Sequence, residues 1–252
     1  MELVFPIEML VFLFLIAIAA GAVDTLAGGG GLIALPALII SGIPPLTALG
    51  TNKLQSWAGT GTSTLMMLRY KKITLEEMLP TMLMAFIGSI LGTISVQFID
   101  NEKLSLIIPI VIFLILIYFV LTPKMSVHSS EPRLTESSYK KYIAPIIGFY
   151  DGMFGPGTGS FFTASGIALR GKNLIDATAR AKALNFSTNV AAVIVFIYIG
   201  EVVWVVGLVM ILGQFIGARV GSIFLININP SYLRVFVILL CTLMLLLHFQ
   251  ST

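Results

Sequence analysis

The sequence predicts an all-α polytopic membrane protein made of two related halves. Three observations carry this. The first is composition: 57% of the 252 residues are hydrophobic and only 11% are charged, against about a quarter in soluble domains, so most of the surface cannot face water. The second is a series of apolar runs long enough to cross a bilayer. The third is a glycine-rich motif with an aspartate that occurs twice, in matching surroundings. The same composition excludes other classes. So apolar a chain can offset its ordering entropy and is not disordered. A single cysteine, Cys241, excludes a disulfide scaffold. The 15 Lys+Arg against 12 Asp+Glu are scattered and thin, so nucleic acid is not an expected partner.

Charge-poor apolar runs are Met9–Val23, Leu32–Ser41, Leu54–Leu68, Met78–Val96 and Leu104–Leu121 in the first half. The second half has Ile143–Phe149, Phe161–Leu169, Ala183–Ile199, Val203–Ile226 and Leu233–Phe249. Several reach the roughly 17–25 residues of a crossing. Leu32–Ser41 and Phe161–Leu169 are too short to cross alone, and each follows a glycine-rich break. The N-terminal run has no basic flank, only Glu2 and Glu8, and it recurs inside the chain. It reads as structure, not as a signal peptide. The polar stretch Leu121–Tyr142 divides the halves. The expected units are residues 1–122, a cytoplasmic linker 123–142, and residues 143–252.

Gly21-Ala-Val-Asp24-Thr-Leu-Ala-Gly28-Gly-Gly30 aligns with Gly148-Phe-Tyr-Asp151-Gly-Met-Phe-Gly155-Pro-Gly157 as G-x-x-D-x-x-x-G-x-G. After each comes a short apolar run, a small polar loop, and a lysine opening a further span: Lys53-Leu-Gln55 and Lys182-Ala-Leu-Asn185. The offset is 127 residues at the aspartates and 129 at the lysines, from 151 − 24 and 182 − 53. Each half then holds a broken pair plus three spans. If the broken pair is a re-entrant hairpin, each half crosses an odd number of times and the two are inverted. Loop charge agrees, by the positive-inside rule. Arg69, Lys71 and Lys72 match Glu201 in the other half, while the uncharged loop Ser41–Thr51 matches one with Arg170, Lys172 and Arg180. The basic loops and the linker are expected in the cytoplasm, with both termini outside a bacterial inner membrane. The alternative makes each broken pair one kinked crossing and places the basic second-half loop outside.

A run of glycines inside hydrocarbon frees backbone groups that need partners, which is tolerable where backbone lines a cavity. In inverted-repeat transporters such interrupted helices meet near the midplane and form the substrate site. The helices after the breaks are expected to begin at Leu32 and near Ser160, with N–H groups suited to an anion. Gly28, Gly29, Gly30 and Gly31, with Gly155, Gly157 and Gly159, are the candidate backbone of that site; the alternative use is close helix packing. Asp24 and Asp151 are candidates for coupling a proton or ion, or for capping the breaks. Lys53 and Lys182 attract an anion, pair with the aspartates, or snorkel to headgroups. Asn52, Gln55, Asn185 and Asn189 supply hydrogen bonds to substrate or between helices. Trp57 and Trp204 fit interfacial anchors. Gly213, Gly217 and Gly221 fit a packed helix face, and Arg219 needs a partner or an outlet. His128 and His248 are too isolated for a metal site or triad. An aspartyl-protease reading of Asp24 and Asp151 leaves the glycines that follow them without a role. No cofactor is expected.

The run Gly21–Leu32 with Ala48-Leu-Gly-Thr-Asn-Lys-Leu-Gln55 resembles the sulfite exporter TauE/SafE family, and is most like its YfcA-type branch. Gly148–Gly157, Ala179-Arg-Ala-Lys-Ala-Leu-Asn185 and Gly213–Gly221 extend the resemblance over nearly the whole chain. It departs from the family pattern mildly, at Thr158. The resemblance implies a permease for small anions of the sulfite and organosulfonate type. The expected function is secondary transport by alternating access, with a passive anion channel as the alternative. The partners expected are a small anion, the lipid bilayer, a coupling proton or ion, and a second copy in a homo-oligomer.

Overall fold

The computed structural model describes residues 5–121 and 129–227, and all regular elements among them are helices. They are α1 (Ile7–Ala27), α2 (Gly31–Ile40), α3 (Pro45–Arg69), α4 (Leu75–Val96) and α5 (Asn101–Leu121). The second half has α6 (Glu136–Ser138), a π-helical turn (Tyr139–Ile143), α7 (Ala144–Met153), α8 (Thr158–Arg170), α9 (Leu174–Tyr198) and α10 (Trp204–Asn227). Five stretches are long and apolar enough to cross a membrane: α1, α4, Asn101–Tyr118 of α5, α9, and Trp204–Phe224 of α10. Their outward side chains are apolar: Leu15, Ile87, Leu106 and Leu212 are each about half exposed or more. That suits contact with lipid tails.

Helix ends follow local chemistry. Thr74 Oγ1 accepts the Glu77 N–H and Asn173 Oδ1 accepts the Asp176 N–H, capping α4 and α9. Pro45 opens α3 where its missing N–H costs nothing. The α1 helix stops at Gly28, which is left-handed at φ 72° and returns its N–H to the Asp24 carbonyl at 2.7 Å.

Glycine faces decide which helices meet. Gly213, Gly217 and Gly221 of α10 lie against the α1 backbone at Phe14, Ile18 and Ala22 in turn, so the two helices run parallel. In the same way Gly88 and Gly92 of α4 lie against Pro145 and Phe149 of α7, also parallel. The expected glycine packing of α10 is therefore present. The partners repeat: α1 packs on α10 as α7 packs on α4, α10 packs on α3 as α4 packs on α9, and α3 and α9 pack on each other. Buried apolar residues form two clusters. Ala48 and Leu49 of α3 and Ala192 and Phe196 of α9 belong to one. Met67 of α3 and Ala179, Ala181, Ala183 and Leu184 of α9 belong to the other. Along both helices a polar band lies between them.

Hydrogen bonds sort the loops into two ends. At one end Arg180 pairs with Glu77, Arg170 pairs with Glu136 at 2.7 Å, and Ser130 bonds Gly171. At the other, Thr47 bonds Glu201, Val203 N–H bonds Thr51 Oγ1 at 3.0 Å, and Leu46 N–H bonds Asn101 at 3.0 Å.

Some expectations need adjusting. The helices after the breaks begin at Gly31 and Thr158, slightly before the expected Leu32 and Ser160, because glycine and threonine are tolerated in a first turn. The polar stretch 123–142 is not all connector: Glu136–Ile143 are helical and run on into α7. The third apolar run lies within α3, whose 25 residues give ample length but whose polar face keeps it out of the strongly apolar set. Arg219 is on the exposed side of α10. The run Leu233–Phe249, with Cys241 and His248, and Lys124 and His128 lie outside the described residues.

Candidate functional site

The two glycine breaks meet. A Cβ built on Gly28 would lie 2.3 Å from the Gly159 carbonyl carbon, and one on Gly159 would lie 2.6 Å from Gly28 Cα. Backbone thus touches backbone at a distance no side chain allows. Ser160 Oγ donates to the Ala27 carbonyl across the same contact. Pro156 of the second break lies beside Gly31 of the first, where Asn52 Nδ2 is also near. Tyr150 fixes the second break by donating its hydroxyl to the Pro156 carbonyl at 2.6 Å, and its ring packs edge-on against Phe161.

Around this contact the polar band converges from α1, α3, α7 and α9. Lys53 Nζ lies 2.8 Å from Asp151 Oδ1, with both residues 1% exposed. Lys182, fully buried, donates to the main-chain carbonyl of Asp24. Each lysine therefore reaches into the opposite half. Neither snorkels to a membrane surface. Their surroundings differ. Asp24 is half-buried and spends its carboxylate on its own break, where Oδ1 accepts the Gly30 N–H at 3.3 Å. Asp151 instead pairs with Lys53, whose ammonium lies beside Gly155, and its Oδ2 has no hydrogen-bond partner among the described residues.

The amides form two short relays. Gln55 Nε2 donates to Asn52 Oδ1 at 2.8 Å, leaving Gln55 Oε1 buried and unpartnered. Asn189 donates to Asn185 Oδ1 at 3.2 Å, and Asn185 Nδ2 lies near Gly159. Gly155 lies beside the Lys53 ammonium: a Cβ there would be 3.0 Å from Nζ. Gly157, at φ 77°, lies beside Ile115 of α5, and Gly29 and Gly30 are buried in the first break. All fifteen residues singled out in the sequence fall on the two breaks or on the facing stretches of α1, α3, α7 and α9. Ser187 instead donates to the Met82 carbonyl and so joins α9 to α4, while Thr188 donates to the Asn185 carbonyl within α9. Sequence reasoning missed Ser160, Pro156 and Tyr150 as parts of the site. All three stand in or beside the second break, so the motif itself was the signal. Gln214 was also missed: buried on α10, it fills the space left by Gly21 and Gly59, and only packing reveals it. No group of three His, Cys, Asp or Glu able to hold a metal is present among the described residues.

The profile of the sulfite exporter TauE/SafE family matches residues 13–247. The chain belongs to this family. Among its relatives, "Probable membrane transporter protein ORF9" of Sinorhizobium is 46% identical over 215 residues, 85% of this chain and 82% of the relative. "Probable membrane transporter protein YfcA" of Escherichia coli K12 is 38% identical over 232 residues, 92% of this chain and 86% of the relative. A "Probable membrane transporter protein" of Haemophilus influenzae is 38% identical over 94% of this chain and 93% of the relative. No solved structure gives a significant match. The TauE/SafE chain is thus a multi-pass membrane protein of transporter type, and both glycine breaks lie within the matched region.

Proposed function

We propose that this TauE/SafE protein is a secondary transporter of small anions, of the sulfite or organosulfonate type, and not an enzyme. One observation carries the reading: two fully buried lysines, Lys53 and Lys182, each reach the glycine break of the opposite half, Lys53 at Asp151 and Gly155 and Lys182 at the Asp24 carbonyl. Buried ammonium groups are costly in a membrane protein and mark an ion path. Beside an amide donor such as Asn185 Nδ2, which lies near Gly159, they select negative charge. Substrate sits between the breaks, with Asn52, Gln55, Asn185 and Asn189 as hydrogen-bonding groups and Gly28–Gly31, Gly155, Gly157 and Gly159 giving backbone access.

The two halves act as inverted units that rock about this site. The repeated helix partners, and the parallel pairs α1 with α10 and α4 with α7, support that relation. The hairpin form of the breaks is supported by the start of α3 meeting the start of α10, where Thr47 bonds Glu201 and Val203 bonds Thr51. The end with Lys71, Lys72, Arg170 and Arg180 faces the cytoplasm of a bacterial inner membrane, which leaves the N-terminus outside. No nucleotide motif is visible, so an ion gradient supplies the energy.

The test is counterflow in proteoliposomes with sulfite, thiosulfate, sulfoacetate and simple carboxylates. At least one is expected to accumulate against its gradient, which a passive channel cannot achieve, and Lys182→Met is expected to abolish this. Full accumulation by both Lys182→Met and Lys53→Met, or movement of none of these anions, removes the proposal.

A further inference from the structure

We infer that the Asp151 carboxylate is a built-in counter-anion for Lys53, which substrate replaces only as Asp151 takes up a proton, so that one proton travels with each anion. This deepens the anion-transport reading and rests on it.

The argument begins with charge. The polar band holds two carboxylates, Asp24 and Asp151, and two ammonium groups, Lys53 and Lys182, which sum to zero. An anion entering a neutral, water-excluded band leaves one negative charge uncompensated, at a cost of several kcal/mol. A proton arriving with it restores the balance. The geometry says where the proton goes. Asp151 Oδ1 is taken by Lys53 at 2.8 Å, whereas Oδ2 is buried without a partner among the described residues. Buried carboxylate oxygens are in the large majority hydrogen-bonded; Asp151 Oδ2 is left able to take a proton. A proton from the aqueous side forms the Oδ2–H bond. The attraction between Oδ1 and the ammonium then falls to that of a neutral acid, and Lys53 Nζ turns to the anion. No covalent bond of the protein breaks. When the anion leaves on the other side, the proton leaves too and the ion pair re-forms.

The equivalent position of the other half is built differently. Lys182 is held by a main-chain carbonyl, not by a carboxylate, and Asp24 is engaged by Gly30. The exchange of anion for carboxylate thus belongs to the Lys53–Asp151 pair. Other groups around Asp151 do not replace it. Lys53 from α3 is its partner, and Asp24 from α1 acts electrostatically on both lysines. Lys182 is the cation of α9. Tyr150 donates to Pro156. From α4, Ser89 and Thr93 donate to the Thr188 and Gly152 carbonyls, and from α8 Ser160 donates to Ala27.

The experiment uses the full chain in proteoliposomes with an internal pH dye and an imposed potassium diffusion potential. The probes are methanesulfonate and sulfoacetate, whose sulfonate groups carry no proton of their own near neutral pH. One proton is expected per anion. Methanesulfonate uptake is then electroneutral and indifferent to the imposed potential, and sulfoacetate uptake leaves one charge per turnover. Asp151→Asn is expected to end accumulation driven by a pH gradient and to make methanesulfonate movement sensitive to potential. Wild-type flux that carries charge without protons, or an Asp151→Asn protein that still accumulates under a pH gradient, overturns the inference and leaves anion transport standing. If neither probe moves while another anion does, proton uptake is read with that anion and decides in the same way. If no anion moves, the transport proposal itself falls and takes the inference with it. Should Asp151→Asn fail to fold, the wild-type proton count alone decides.

Discussion

Lys53 and Asp151 form an ion pair with both partners excluded from solvent, whereas the pairs Arg170–Glu136, Arg180–Glu77 and Lys103–Asp100 each keep at least one exposed member. That difference sets the energetics. Exposed pairs contribute about 0–1 kcal/mol. Removing one member of a buried pair strands the other and costs about 3–5 kcal/mol, while replacing both with apolar groups of similar volume is often neutral. Lys53→Met and Asp151→Leu are therefore each expected to lower the unfolding midpoint in detergent strongly, and the double variant to recover most of the loss. Additive losses in this double-mutant cycle would show that the pair is not coupled. Lys182→Met strands a carbonyl and removes a cation near Asp24, but Asp24 is only half-buried and keeps its bond to Gly30, so the stability cost is expected at about 1–3 kcal/mol. It should be the milder lesion in folding although transport is lost.

At the scale of elements, glycine does two separate jobs. In the breaks it supplies a left-handed backbone and close approach together. At Gly28, φ is 72° and a Cβ would stand 2.3 Å from the opposing backbone; at Gly42, φ is 83° but nothing lies within 4 Å. Gly42→Ala should cost only its backbone strain, roughly 1 kcal/mol, and keep folded, active protein. Gly28→Ala should force the two breaks apart and lose both stability and transport, as read by monodispersity on size exclusion and by counterflow. Equal behaviour of the two variants would mean that the contact of Gly28 with Gly159 does not matter. On the helix faces glycine acts only by being small. Gly217→Leu would drive a side chain into the α1 backbone at Ile18, where a Cβ alone would come to 2.0 Å. It is expected to abolish assembly of that pair.

For the whole molecule, the sorting of loops into two ends gives a topological expectation. With Cys241 replaced by serine, a cysteine at Lys72 or Lys172 should react only with reagents reaching the cytoplasmic side, and one at Ser41 or Glu102 only from outside. Labelling of positions 72 and 172 from opposite sides would dismiss the inverted arrangement. The all-helical membrane class was legible in the sequence because hydropathy and span length are local properties. The two breaks were legible because glycine runs interrupt helices wherever they occur. Membership of the polar band was legible because polar residues in apolar spans must be placed for a reason. The unequal roles of the repeated residues were not. Asp24 and Asp151 occupy matching places in matching motifs, yet one closes its own break and the other holds a lysine from 98 residues away, by 151 − 53. Lys53 and Lys182 match as well, yet one meets a carboxylate and the other a carbonyl. A motif reports the chain near itself; a partner across the molecule depends on how α1, α3, α7 and α9 pack. So the sequence by itself determined the elements, their breaks and the polar band. Only the tertiary structure decided which charge meets which, because that choice is made where glycine faces bring separate helices together.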